Sequence, residues 1–187
     1  MRPVIYSMSV SLDGYIAGPD GDITWAAPDP ELMAFHNEQT RLVAAHVCGR
    51  RLYADMLPWE TGWGEAGGPA AKEFAAVWSA IPKVVFSRTL DHVEGNARLA
   101  AGSLAEEIGR ARDGSGGVVS VGGAGLAAEL IARDLIDEYR MFINPVVLGG
   151  GTPFFPPDGP RLDLEVAGLR QFGSRAYLTY RRDRSSR

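Results

Sequence analysis

The sequence is poor in cysteine and lysine: it has one cysteine, Cys48, and two lysines beside 17 arginines in 187 residues. A single thiol cannot form an internal disulfide, which is typical of proteins from reducing compartments. Cys48 stands in an apolar run and is predicted to be a small buried hydrophobe. Apolar runs of about 18 residues and a signal-peptide core are also missing, so we expect a cytoplasmic protein without a membrane partner.

Basic patches and metal-binding patterns are missing as well. The net charge is −4 and the pI about 5.4, which argues against a nucleic-acid partner. The three histidines have no metal-ligand spacing, so no metal is expected. The arginine excess has two readings that stay open: forked contacts with phosphate, or a bias of the genome's composition.

The composition is that of an ordinary globular protein, with 45% hydrophobic and 22% charged residues. The length favours a single domain over residues 1–187, with a loose polar tail at 182–187. Cytosolic globular proteins of this size bury a core without disulfides. The functional classes that remain are therefore enzymes and binding domains.

Strands and helices alternate through the first two thirds of the predicted fold. An alternating strand runs from Val4 to Leu12, and Asp29 caps a helix predicted to reach about Val43, with Leu42 and Val43 inward. Residues 58–69, rich in Gly, Trp and Pro, are predicted to be a surface loop. Further predicted elements are strands at 45–48, 83–87, 97–101 and 118–121, and helices at 50–56, 70–80, 103–112 and 126–133.

The last third contains strands alone, predicted at 138–144, 162–171 and 175–181. This change predicts an α/β protein with a mostly parallel central sheet and antiparallel C-terminal edge strands. Parallel sheets bind ligands at the carboxyl ends of their strands, where loops lead into helices. Candidate functional residues are therefore sought after each predicted strand.

Three such strand ends carry residues suited to anions. The run VVSVGGAGLAAEL leads from a strand through glycines into a helix, and Gly123-x-Gly125-x-x-Ala128 satisfies the dinucleotide fingerprint. Gly49, Arg50 and Arg51 follow the strand at 45–48, and Ser87-Arg88 follows the strand at 83–87. Each feature has a structural alternative: a tight packing turn for the glycines, solvated side chains for the arginines.

The same residues resemble a known family. SLDGYIA, GRRLY, FSRT, VGGAGLAAELI and DEYRMFINPVVLGGGTPFF occur in the order of the dihydrofolate-reductase-like superfamily. Within it, the chain resembles the reductase domain of the bacterial riboflavin-biosynthesis deaminase–reductase and its stand-alone relatives, over roughly residues 2 to 182. The zinc motif of the deaminase does not occur in these residues, so we expect them to be reductase-like only.

The resemblance implies a dihydrofolate-reductase-like three-layer fold that binds NADPH, and a homodimer. The implied cofactor residues are Gly49, Arg50, Arg51, Ser87, Arg88, Gly122, Gly123, Ala124, Gly125 and Leu126. Ser87 and Arg88 would hold the 2′-phosphate and so favour NADPH over NADH. The sequence departs from the family at Leu52, where a threonine hydroxyl often contacts a phosphate.

Asp13 and Glu31 are the candidate catalytic residues, each able to supply or relay a proton. Each has a structural alternative, because Asp13 also suits a turn and Glu31 also suits the start of a helix. The expected function is an NADPH-dependent reductase acting on a small heterocyclic, pterin- or pyrimidine-like substrate. The alternatives are a non-catalytic nucleotide- or partner-binding domain on the same fold, and an NAD-dependent Rossmann dehydrogenase.

The dimer interface is expected at the C-terminal edge strands together with the apolar loop at residues 145–157.

Overall fold

The computed structural model describes residues 1–185, without the side chains of residues 65 and 66. Residues 186 and 187, at the end of the predicted loose tail, lie outside the described residues. The chain forms two compact units. Within the described residues, the first comprises residues 1–4 and 28–123, and the second comprises residues 5–27 and 124–185.

Helices and strands alternate through most of the described chain. The helices are α1 (Pro30–Arg41), α2 (Arg50–Met56), α3 (Pro58–Thr61), α4 (Trp63–Ala66), α5 (Gly68–Ala80), α6 (Leu104–Arg112) and α7 (Ala124–Ala132). The strands are β1 (Val4–Ser11), β2 (Tyr15–Ala17), β3 (Val43–Gly49), β4 (Lys83–Phe86), β5 (Ala97–Leu99), β6 (Val118–Gly122), β7 (Glu138–Asn144), β8 (Thr152–Pro153), β9 (Leu164–Phe172) and β10 (Arg175–Arg182).

Four parallel strands form the first unit's part of the sheet, in the order β5, β4, β3, β6. Their centres are fully buried at Val47, Val85 and Val121, as expected for short apolar strands covered on both faces. Cys48 is also buried, as predicted, and its burial raises the pKa of its thiol to about 12.

Helix α1 begins as predicted but ends earlier. The Asp29 side chain accepts a hydrogen bond from the backbone N–H of Leu32, and Leu32 and Phe35 are buried. The prediction that the helix continues inward to Val43 is wrong. Leu42 is half exposed as the C-cap, and β3 begins at Val43, two residues before the predicted strand. The β-branched Val43 pairs with Val118, and this pairing across strands prevails over the local helical pattern.

Residues 58–69 are mostly helical, so the prediction of a surface loop is wrong here. Pro58 starts α3 and Pro69 lies in the first turn of α5, positions where proline's missing N–H costs no helical hydrogen bond. Gly62, with φ of +142°, separates α3 from α4. Trp59 packs edge-on against Phe74 of α5, a contact that composition alone does not reveal.

The second unit carries β1, β7, β10 and β9 in that order. β1 pairs with β7 in parallel, whereas β7, β10 and β9 pair antiparallel. β2 and β8 form a small antiparallel ladder that the sequence pattern did not predict. At the C-terminal end of β10 and just after it, Arg182 pairs with Asp134 at 2.8 Å and Arg184 pairs with Asp137 at 2.9 Å.

The α/β class is confirmed, with a mostly parallel central sheet and antiparallel C-terminal edge strands. In the described residues, the longest helices are too short or too polar to cross a membrane.

Candidate cofactor site

The carboxyl ends of three neighbouring strands in the first unit bring the predicted anion-binding residues together. Register places Cys48 of β3 beside Gly122 of β6, and Gly49 beside Phe86 of β4. Ser87, Gly49 and the Gly122–Gly123 turn therefore follow one another, in that order, along the carboxyl end of the sheet. The parallel sheet thus joins three motifs that lie far apart in the sequence.

The start of α2 lies at this carboxyl end of the sheet and is open to solvent. A Cβ on Gly49 would meet no atom within 4 Å, and among the described residues the helix has no side-chain cap. The exposed side chains of Arg50 and Arg51 add two positive charges there. Uncapped backbone N–H groups and guanidinium groups are suited to a phosphate.

The glycine turn after β6 combines close packing with open backbone. A Cβ on Gly122 would lie 2.0 Å from Leu52 Cδ2, so this position is glycine because Leu52 packs over it. Gly123 has φ of +93°, and α7 begins at the next residue. A Cβ on Gly125 would meet open space. Close packing explains why residue 122 is a glycine, whereas the backbone at Gly123 and Gly125 is accessible to a ligand.

Ala124, Gly125 and Leu126 form the first turn of α7, whose N-terminus carries partial positive charge.

His46 lies behind the glycine turn and was not singled out by the sequence patterns. It is buried, and neither ring nitrogen has a hydrogen-bond partner in the described residues. Burial, and then the charge of Lys83, lowers the pKa of His46 to about 3, so its imidazole is neutral. Its Nε2 is 3.0 Å from where a Cβ on Gly122 would lie, and its ring contacts Trp78 edge-on.

Lys83, the other buried base of this region, is fully occupied by structural contacts. Its Nζ donates to the carbonyl oxygens of Trp78 at 2.7 Å and Ile81 at 2.9 Å, and pairs with Glu60 Oε1 at 2.9 Å. Three acceptors match the three N–H bonds of an ammonium group. We therefore assign Lys83 to the stability of the unit and not to ligand binding.

Ser87 and Arg88 lie in the turn that follows β4. Ser87 Oγ accepts hydrogen bonds from the backbone N–H groups of Thr89 at 3.1 Å and Leu90 at 3.0 Å. These bonds fix the turn, and Ser87 Oγ also lies 3.5 Å from Thr89 Oγ1, where either hydroxyl can be the donor. The Arg88 side chain is exposed beside it, as a phosphate-binding arginine must be.

Asp13 lies in the second unit and fastens two loops. Its carboxylate accepts hydrogen bonds from Ser11 Oγ at 2.7 Å and from the backbone N–H groups of Leu148 at 3.1 Å and Gly149 at 2.8 Å. The Ser11 hydroxyl lowers the pKa of Asp13, and these N–H groups lower it further. Asp13 is therefore ionised near neutral pH, and its catalytic role stays a prediction.

The sequence patterns did not predict a second polar cluster in the same unit. Asn144 is buried, and its Oδ1 accepts a hydrogen bond from Arg175 Nε at 2.8 Å. Arg175 also donates to the carbonyl oxygen of Ala27 at 2.9 Å. The buried amide thereby orients an arginine that β10 presents at its first residue. Only an asparagine closing an apolar strand signals it in the sequence.

Glu31 is exposed in the first turn of α1, where a carboxylate also complements the helix dipole. Its catalytic role likewise stays a prediction.

The fold is that of a dihydrofolate-reductase-like α/β protein. Dihydrofolate reductase from Enterococcus faecalis complexed with NADP(H) is 20% identical, with a TM-score of 0.63 over 97% of this chain and 96% of that chain. At this identity the likeness shows the fold alone.

Family membership is specific. Residues 2–178 match the family described as RibD C-terminal domain, so the chain belongs to that family. The protein YyaP of Bacillus subtilis strain 168, named as uncharacterized, is 30% identical over 92% of this chain and 90% of its own length. A crystal structure of a putative riboflavin biosynthesis protein from Shewanella sp. PV-4 is 25% identical, with a TM-score of 0.75 over 98% of this chain and all of that one. The riboflavin-type reductase resemblance read from the motifs is confirmed.

Proposed function

We propose that this protein is an NADPH-dependent reductase acting on a small heterocyclic, pterin- or pyrimidine-like substrate. The carrying observation is the carboxyl end of the first unit's strands, where Gly49 and Gly123 lie at the ends of neighbouring strands, the start of α2 has no side-chain cap, and three nearby arginines in the sequence, Arg50, Arg51 and Arg88, are exposed. Membership of the RibD C-terminal domain family supports a reductase. The riboflavin-pathway ribosylaminopyrimidine is the first substrate to test.

The residues present fit the cofactor's anionic groups. Gly49, Arg50 and Arg51 at the start of α2, with Gly123 after β6, would hold the pyrophosphate. Ser87 and Arg88 would hold the 2′-phosphate, because two hydroxyl groups, those of Ser87 and Thr89, and the exposed Arg88 guanidinium lie in the same turn after β4. When bound, NADPH supplies the hydride, and the protein supplies orientation and a shielded site.

Proton supply is the chain's own chemical task. Hydrogen bonds from Ser11 and from the N–H groups of residues 148 and 149 keep Asp13 ionised. Because Asp13 then carries no proton before the reaction, its role would be to pass a proton on and not to act as the resting donor. Glu31, exposed at the start of α1, is the second candidate donor. Hydrogen bonds to Asp13 also keep the loop after β7 in place.

The test is a side-by-side titration with NADPH and NADH, followed by quenching of tryptophan emission. Tight NADPH and weak NADH binding is expected, and turnover is then followed as loss of reduced cofactor with ribosylaminopyrimidine and dihydrofolate as substrates. Binding of neither cofactor contradicts the reductase proposal.

One observation favours a second candidate, a non-catalytic nucleotide-binding domain. Leu52 stands where family members often carry a threonine hydroxyl, and it packs over Gly122. Without the threonine hydroxyl, the site has one hydrogen bond fewer to a phosphate and binds it more weakly. Cofactor binding without turnover on a heterocycle panel would favour this candidate.

A further inference from the structure

His46 is a buried polar side chain of the first unit whose hydrogen-bonding groups are unused. Only 6% of its surface is exposed, and both of its ring nitrogens are unpaired in the part of the chain that the structure describes. Buried polar atoms in folded proteins are nearly always hydrogen-bonded, because an unpaired one has lost its water without compensation. Two unpaired nitrogens on one buried ring therefore indicate a partner that is gained when a ligand binds.

The side chains around the imidazole do not supply that partner. In the sheet, His46 lies between Lys83 of β4 and Ser120 of β6. The three acceptors described above occupy the ammonium group of Lys83, and the Ser120 hydroxyl is not bonded to either ring nitrogen. Trp78 contacts the ring edge-on, and its own Nε1 is also unpaired among the described residues. The backbone of β6 is the remaining source of a partner.

The register of β3 and β6 directs the imidazole to the glycine turn. Cys48 lies opposite Gly122, and His46 precedes Cys48 by two residues, so these three residues share one face of the sheet. The Nε2 atom of His46 is 3.0 Å from the position that a Cβ on Gly122 would occupy. The ring is therefore in contact with the backbone of Gly122, immediately before the peptide bond that joins it to Gly123.

This peptide bond between Gly122 and Gly123 can change its orientation at low cost. Gly123 has φ of +93°, in the region that glycine adopts readily and other residues rarely do. Glycine on both sides lets the peptide plane rotate, because neither neighbour has a Cβ that would clash. In a trans peptide the carbonyl oxygen and the N–H point in opposite directions, so a bond to one of them sets the direction of the other.

We propose that His46 is a positioning residue of the cofactor site, an inference that rests on the proposed function. When a pyrophosphate group occupies the turn, the Nε2–H of His46 donates a hydrogen bond to the carbonyl oxygen of Gly122. The N–H of Gly123 then points away from the imidazole and is available to the anion. A neutral imidazole suits this task, because it has one N–H to donate and adds no buried charge.

The first experiment is nitrogen NMR of the full chain with isotope-labelled histidine, alone and with NADPH. Comparison with His46→Phe assigns the His46 signals among those of the three histidines. NADPH is expected to shift the Nε2–H signal of His46 downfield, because an imidazole N–H that becomes a hydrogen-bond donor is deshielded. Inorganic pyrophosphate is the second probe and should produce the same shift at higher concentration, because it carries the group that occupies the turn.

Substitutions separate this role from a structural one. His46→Phe keeps an aromatic ring against Trp78 and removes both unpaired nitrogens, so it should resist urea at least as well as the wild type. Calorimetry should show NADPH and NADH binding weakened equally, roughly three- to tenfold, because both carry the pyrophosphate. His46→Gln keeps a side-chain N–H donor and should recover part of that affinity.

Trp78→Phe is the matched control. It alters the same buried cluster without removing a group that faces the turn, so it should lower stability and leave both cofactor affinities unchanged.

A stable His46→Phe variant with equal losses for the two cofactors, together with the shifted His46 signal in the wild type, supports the proposal. Wild-type affinity in His46→Phe overturns it, as does a His46 signal that NADPH leaves unchanged. A loss confined to NADPH also overturns it, because only the 2′-phosphate distinguishes the two cofactors. A wild type that binds neither cofactor overturns the proposed function itself, and this inference with it.

Discussion

Replacement of Leu52 by threonine separates the two uses of the glycine turn. Leu52 is partly buried against Cys48, Tyr53 and Val85, and its Cδ2 fills the space over Gly122. Threonine is shorter and carries a hydroxyl, so it removes part of this packing and opens the turn. It also places a donor where the RibD C-terminal domain family often has one.

Two opposite effects are expected from Leu52→Thr. Truncating a partly buried leucine costs about 1–2 kcal/mol of the free energy of unfolding, less than for a fully buried one. A hydrogen bond to a charged group contributes about 1.5–3 kcal/mol when shielded, so partial exposure leaves roughly a tenfold gain in affinity. NADPH and NADH should gain equally, because both carry the pyrophosphate.

The assays are urea unfolding and cofactor titration on the same preparations. Leu52→Ala makes the same opening without a hydroxyl, and Leu57→Thr truncates another leucine of the same cluster. Both controls should lose stability without gaining the affinity that Leu52→Thr gains. If Leu52→Thr binds NADPH no better than Leu52→Ala does, then position 52 does not face the phosphates and the reasoning is refuted.

Three further predictions concern charged side chains. Arg88→Ala should weaken NADPH binding roughly 10- to 100-fold and leave NADH binding unchanged, with the exposed Arg161→Ala as control; equal losses for both cofactors contradict the 2′-phosphate assignment. Glu107 is fully buried, and hydrogen bonds from a neighbouring arginine and from backbone N–H groups lower its pKa from 4.5 to about 2. Because the folded pKa is the lower one, this stability is present above pH 4.5 and is lost as pH falls toward 2. Glu107→Gln should therefore cost about 2–3 kcal/mol at neutral pH and flatten the acid dependence of urea unfolding, whereas an unchanged pH profile would rule this out. Asp13→Asn should speed hydrogen exchange at residues 148–149 and not in β10, and unchanged exchange would show that Asp13 does not hold that loop.

Local features of the sequence determined where most elements begin and which strand ends carry anion-binding residues. Ser103 and Glu106 form the predicted capping box, since its hydrogen bonds join residues three apart. Gly49 and Gly123 were found because a strand followed by glycine and a helix is a contiguous pattern. Such features depend on backbone conformation and side-chain periodicity over a few residues, which a sequence displays directly.

The tertiary structure alone decided what those residues touch. Asp13 binds the N–H groups of residues 148 and 149, 135 or more positions away, and no local pattern reports such a contact. Leu52 packs over Gly122, and so requires a glycine there, only because β3 and β6 are neighbours in the sheet. The face of Leu169 depends on a register shift against β10, since a one-residue slip moves a side chain to the other face. Long-range pairing sets these contacts, because many chain segments share the same local preferences and only the assembled sheet selects among them.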